Sequence, residues 1–205
     1  MNETPKRLAA ARLRASRQWP YLSTALWAMH PVPSPDLPFP MAVDKYWRLY
    51  FRPDLLEQWD VNLSVGLLYH EVHHLLRNHA ARAETLNAQP MAWNLATDAE
   101  INDDLEAERV AMPEGVITPQ GLGQEKGQLA EVYYRNLEQT KEVPPERADG
   151  PEPGTASRDA EDPGEPHRSC GSCAHGHPEP WEEGPPSAAC PGVSPARAEL
   201  IRHQV

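Results

Sequence analysis

Read from the N-terminus, apolar positions first fall into helical spacing over Thr4 to Gln18, at Leu8, Ala11 and Leu13. Thr4 is a suitable cap and Pro5 suits the first helical position. The pattern therefore predicts an amphipathic opening helix rather than an Arg-rich transit peptide. Met41 to Phe51 is dense in β-favouring residues, with Trp47, Leu49 and Phe51 on one face, and Arg52-Pro53-Asp54 ends it. A strand or short hairpin is expected there, its edge being either ordinary core or a place for an extended peptide to pair.

The next helix is predicted from Asp60 or Asn62, both acceptable caps, to about Asn78. Projected at 100° per residue, Leu63, Leu67, His70, His74 and Asn78 share one sector, and Val65, Leu68, Val72, Leu75 and Leu76 take the opposite side. Such a helix is apolar nearly all round, as a buried central helix should be. Pro90 opens another over Met91 to Leu105. There Asn94, Asp98, Ile101 and Leu105 form one stripe, and Glu100 and Asp103 fall on a more polar side. Lys126 to Gln139 reads as a further helix, with Tyr133 and Tyr134 as packing residues. Together these elements predict an α+β fold, mainly helical with a small sheet or hairpin.

From Lys141 to Gly192 the chain becomes Pro-, Glu- and Gly-rich and almost lacks large aliphatic residues, so it offers little apolar surface to offset the entropy of ordering. The expected organisation is a folded domain over 1–140, a disordered acidic linker over 141–192 and the start of a truncated C-terminal helix over 193–205. Ser194-Pro195 has the signature of that helix start, and the chain stops inside it, as the front part of a longer protein would. A net charge of −11 leaves no basic stripe for phosphates and argues against a nucleic-acid partner. Three cysteines are too few for a disulfide framework and suit a reducing compartment such as the cytoplasm. No apolar run is long enough for a membrane-spanning helix.

The central helix carries the chemistry. His70-Glu71-Val72-His73-His74 reads HEVHH, the H-E-x-x-H pattern, which puts two imidazoles on one helical face where both can reach one metal ion. Glu71 lies beside them, placed to act as a general base toward water. The pattern alone is weak evidence, because a catalytic zinc site needs a third protein ligand and one open position. Asp98 is the candidate: it sits between apolar neighbours, where a carboxylate is costly unless paired or bound to metal. The competing reading has Asp98 accepting hydrogen bonds from backbone or Arg. Asn94 and Asn102, one turn either side, are expected to orient it or the histidines. His73 lies to one side and His79 projects roughly 180° away, so both are expected at the surface or in supporting positions. Tyr133, Tyr134 and His73 are the available candidates for stabilising an oxyanion.

A second cluster, Cys170, Cys173, His175 and His177 with Cys190 further on, contains a C-x-x-C pair. Its histidines are crowded, and the reading favours a mobile loop over a second zinc site.

Three segments together resemble a known family: "LLYHEVHHLLRNHAAR", "WNLATDAEINDDL" and "MPEGVITPQGLGQEKGQLAEVYYRNL". They look like the bacterial metallopeptidase-type domain commonly followed by a von Willebrand factor A-like domain. "CGSCAHGHPEPWE" and "GVSPARAELIRHQV" resemble that family's connecting region. The resemblance implies a zincin-like, gluzincin-type layout in which Asp98 replaces the usual downstream Glu. It implies one catalytic Zn2+ held by His70, His74 and Asp98, Glu71 as base, and a peptide or protein substrate. It also implies a MoxR-type AAA+ ATPase as partner. No Asp-x-Ser-x-Ser site occurs here, so the von Willebrand-type module is not part of this sequence. The function expected is a zinc-dependent hydrolase, a metallopeptidase. The alternative is a non-catalytic, metal-stabilised scaffold working with the ATPase.

Overall fold

The computed structural model describes residues 4–142 and 170–205, so most of the acidic stretch expected as linker lies outside the described residues. Helix α1 (Thr4–Gln18) and a short helix α2 (Ser23–Ala28) lead into strand β1 (His30–Pro33). A hairpin follows, β2 (Met41–Val43) and β3 (Arg48–Phe51), and then α3 (Pro53–Gln58), α4 (Val61–Leu76), α5 (His79–Leu86), α6 (Pro90–Ala107) and α7 (Ala130–Glu142). After the undescribed stretch come a one-turn helix α8 (Ser172–His175) and α9 (Pro195–Gln204). The fold is α+β and mainly helical, as the pattern predicts. None of the described helices is long and apolar enough to cross a membrane.

Helix α4 is the axis of the molecule. Asp60 caps it by accepting from the Asn62 N–H at 2.7 Å, and residues Ser64 to Leu75 are all buried. Helix α1 contributes Leu8, Ala11 and Ala15 to the core that holds Val65, Leu68 and Val72 of α4. Gly66 lets the Ala111–Met112 backbone pass directly over α4: a Cβ there would lie 2.0 Å from the Ala111 carbonyl oxygen. Helix α6 starts at Pro90 with the Gln89 side chain accepting from the Ala92 N–H. Trp93, Ala96 and Ala99 pack with Ala130 and Tyr133 of α7 in a second apolar cluster, the packing role expected for Tyr133.

The sheet has the order β1-β3-β2. The hairpin was legible in the sequence, whereas the parallel β1 was not, since His-Pro-Val-Pro carries little strand signal. All seven residues of β2 and β3 are buried instead of alternating. One face joins the main core, and Ala42 and Tyr50 on the other are covered by Leu37 and Trp181.

Trp181 belongs to the stretch expected as linker, and the residues around it are tied to the hairpin. Asp44 and Arg48 form a buried ion pair of 2.6 Å. The Arg48 Nη2 donates to the carbonyls of Glu183 and Gly184. The Tyr50 hydroxyl donates to Asp44 and accepts from the Glu183 N–H. Helix α9 begins as its signature predicts, the Ser194 Oγ accepting from the Arg197 N–H.

Candidate metal centre

His70, His74 and Asp98 meet because α4 and α6 pack with these faces together, and the three are at most 4% exposed. Each offers one donor atom, and Cys170 offers a fourth; all lie within 4.8 Å of one another. His70 Nε2 is 3.0 Å from His74 Nε2 and 3.7 Å from Asp98 Oδ1. His74 Nε2 is 3.3 Å from Asp98 Oδ1. Cys170 Sγ is 3.4 Å from both His70 Nε2 and Asp98 Oδ1. A tetrahedron with metal–nitrogen distances of ~2.0 Å and metal–sulfur of ~2.3 Å has edges of roughly 3.3–3.6 Å. Five of the six spacings, at 3.0–3.7 Å, are close to these edges, and the mixed imidazole, carboxylate and thiolate set suits a borderline-soft dication.

Hydrogen bonds on the far side of each imidazole direct its Nε2 inward. His70 Nδ1 faces Asn102 Oδ1 at 2.8 Å; an amide oxygen only accepts, so His70 Nδ1 carries the hydrogen and Nε2 points at the cluster. Asn102 is fixed in turn by donating to the Ile117 carbonyl. His74 Nδ1 lies 2.9 Å from His79 Nδ1, and His79 Nε2 lies 3.2 Å from Glu100 Oε2. Glu100 accepts from His79 Nε2–H, so a neutral His79 accepts at Nδ1 from His74. That leaves the His74 Nε2 lone pair free for an ion. Burial and the neighbouring His74 keep His79 well below its ordinary pKa, in the neutral form this chain requires.

Two expectations are corrected here. His79 takes the supporting rather than the surface position of the two expected, but it does not project away: α4 ends at Leu76 and Asn78 turns left-handed (φ 53°), which buries His79 against His74. Glu100 is buried as well, since α7 covers the side of α6 that looks polar in projection; it accepts from the Ala130 N–H and pairs with Arg77 and Arg82. Asn102 supports His70 as expected, and Asn94 accepts from the Cys170 N–H. His73 is stacked on Tyr69 and bonded to its carbonyl. Neither His73 nor the two tyrosines line the cavity beside the cluster.

Without an ion, the electrostatics of the four donors are sharply divided. Burial alone would raise Asp98, yet the facing imidazoles of His70 and His74 hold it well below the usual carboxylate range. Burial opposes charge on both imidazoles; Asp98 outweighs it at His70, which is raised, but not at His74, pushed down to about 4. Burial also pushes the Cys170 thiol well up.

Glu71 is 2% exposed. The Val43 backbone N–H at the outer edge of β2 hydrogen-bonds to its carboxylate, while Oε2 has no hydrogen-bond partner. Burial pushes its pKa up to about 8, His70 opposing and Asp98 adding to the rise. An adjoining cavity of about 20 Å³, room for one water molecule, is lined by Glu71, His70, Asp98 and Cys170 and by the apolar Met41, Leu67 and Met112.

The family model described as "Putative metallopeptidase domain" matches residues 3–205. The chain belongs to that family. Comparison with curated proteins and with solved structures gives no match. In this metallopeptidase-family domain the metal-capable cluster is thus built from α4, α6 and a residue near the C-terminus.

Cys170 is the participant that the sequence reading misses. The sequence pattern groups it with its C-x-x-C neighbours, which make other contacts. The Cys173 thiol donates to the Cys170 carbonyl, Cys190 Sγ accepts from Arg48, and His175 pairs with Glu179. Nothing in the spacing links Cys170 to Asp98, 72 residues earlier.

Proposed function

We propose that this domain is a zinc-dependent metallopeptidase in which His70, His74 and Asp98 hold the ion and Glu71 is the general base. The observation that carries the reading is Glu71: a buried carboxylate with one unpartnered oxygen beside the donor cluster. Leaving such a group unsatisfied is costly, and a purely structural ion has no use for it. A bound Zn2+ would supply Lewis acidity, acidifying water and polarising the scissile carbonyl. Glu71 then takes the proton from the attacking water and delivers it to the leaving amine. Val43 anchors its carboxylate at the wall of the cavity, and the apolar residues there limit competing solvent. The outer edge of β2 offers backbone groups along which an extended peptide substrate would lie.

The second reading is a non-catalytic, metal-stabilised scaffold or interaction domain acting with a MoxR-type AAA+ ATPase. One observation favours it: with Cys170, four protein donors close the tetrahedron, as in structural zinc sites. The three free cysteines fit a cytoplasmic setting for either reading. The deciding experiment measures zinc content and cleavage of a mixed fluorogenic peptide library for wild type and Glu71→Gln. The peptidase reading expects a loss of cleavage of at least about 100-fold with zinc retained. Equal cleavage by both, or none even when Cys170 is replaced by Ala, favours the scaffold.

A further inference from the structure

The C-terminal segment does more than donate one sulfur: its backbone is pressed against the edge strand beside the base. Gly171 (φ +87°) packs so closely on β2 that a Cβ would stand 2.4 Å from the Val43 carbonyl oxygen and 2.7 Å from the Trp181 ring. Ser172 Oγ accepts from the Lys45 N–H at 3.0 Å, just past the end of β2. The segment is held from behind as well. The Cys170 N–H donates to Asn94 Oδ1, the Ser172 N–H to Glu182 Oε1, and Trp93 Nε1 to the Ala174 carbonyl. Residues 170–172 thus combine a metal-capable sulfur with main chain packed on the Val43 end of the outer edge of β2.

We propose that Cys170–Ser172 is an intramolecular plug. The Cys170 thiolate takes the fourth position on the ion, the one a catalytic centre keeps for water. Gly171 and Ser172 cover the edge along which a peptide would pair. The described conformation is a closed form of the metal centre, and opening requires Cys170 to leave it. A closed structural site would explain the sulfur but not the unpartnered Glu71 Oε2 in the adjoining cavity; a plug over a prepared centre explains both. The proposal rests on the cluster being a metal centre and deepens the peptidase reading by assigning its control.

The test uses the full chain loaded with Co2+, whose thiolate ligation gives a near-ultraviolet charge-transfer band. The band is expected in wild type and in Cys173→Ala/Cys190→Ala, where Cys170 is the remaining cysteine, and is lost in Cys170→Ala with one Co2+ per chain retained. Acetohydroxamate, a small probe for an open position, should change the visible spectrum of Cys170→Ala at a concentration at least 10-fold lower than wild type needs. A missing band in wild type or in the double variant overturns the plug, and the double variant decides this even if Cys170→Ala does not fold. Equal hydroxamate sensitivity of wild type and Cys170→Ala also overturns it. Peptide cleavage is read separately on Cys170→Ala. If the band and hydroxamate results hold but no peptide is cut, the peptidase reading fails and the closed coordination stands.

Discussion

His74 and His79 lie on successive helices, yet their Nδ1 atoms are 2.9 Å apart, and Glu100 holds the far nitrogen of His79. One α6 carboxylate thereby sets, through one imidazole, the direction of another. Removing such a supporting partner of a metal-binding histidine typically weakens affinity 10–100-fold. His79→Ala is accordingly expected to lower Zn2+ affinity by about that factor while leaving one site per chain. Competition against a chromophoric chelator checks it, and unchanged affinity would mean that His74 needs no such support.

Asp98 supplies the carboxylate of the cluster and is only 2% exposed. Asp98→Ala should prevent stoichiometric Zn2+ retention after dialysis, and Zn2+ should no longer raise its Tm. In the wild type, free Zn2+ at 100 times Kd should stabilise the fold by about 2.7 kcal/mol. Retention of one Zn2+ by Asp98→Ala would remove Asp98 from the ligand set.

In metal-free protein, burial lifts Glu71 to about 8, far above an unfolded glutamate. The folded state therefore holds a proton that the unfolded state releases. The associated stability is complete below the unfolded pKa and is lost as pH rises through about 8. Glu71→Gln does not titrate, so its advantage over wild type should grow between pH 5 and pH 8.5 and reach roughly 3 kcal/mol. Denaturant unfolding in the presence of chelator at the two pH values measures it. A constant difference would show that Glu71 is not buried in this way.

Gly66→Ala places a methyl group 2.0 Å from the Ala111 carbonyl oxygen, a collision with backbone rather than with a movable side chain. A loss of about 1–3 kcal/mol is expected, with displacement of Met112 in the cavity wall. Thermal unfolding tests the first effect and Co2+ spectra the second.

Local pattern revealed much of this site. The i, i+4 histidines of α4, the cap at Asp60, the Pro90 start of α6 and the inward stripe bearing Asp98 all follow from periodicity. What it missed depends on interruptions and tertiary contact. His79 turns inward through a left-handed Asn78, Glu100 is covered by α7, and Cys170 reaches the cluster from a segment whose composition resembles linker. That segment lacks aliphatic residues but is tethered by Arg48, Tyr50 and Trp93 through hydrogen bonds, which hydrophobic periodicity does not record.

The four donors also impose a rule of valence. With both imidazoles neutral, the Asp98 carboxylate and the Cys170 thiolate carry two negative charges into a space that water barely reaches. A dication cancels these two, and a monovalent ion leaves an excess negative charge that burial makes costly by several kcal/mol. Burial pushes the Cys170 thiol well up in the ion-free protein, so its proton must leave when a dication enters. For an ion held by this cluster, charge would count as well as size.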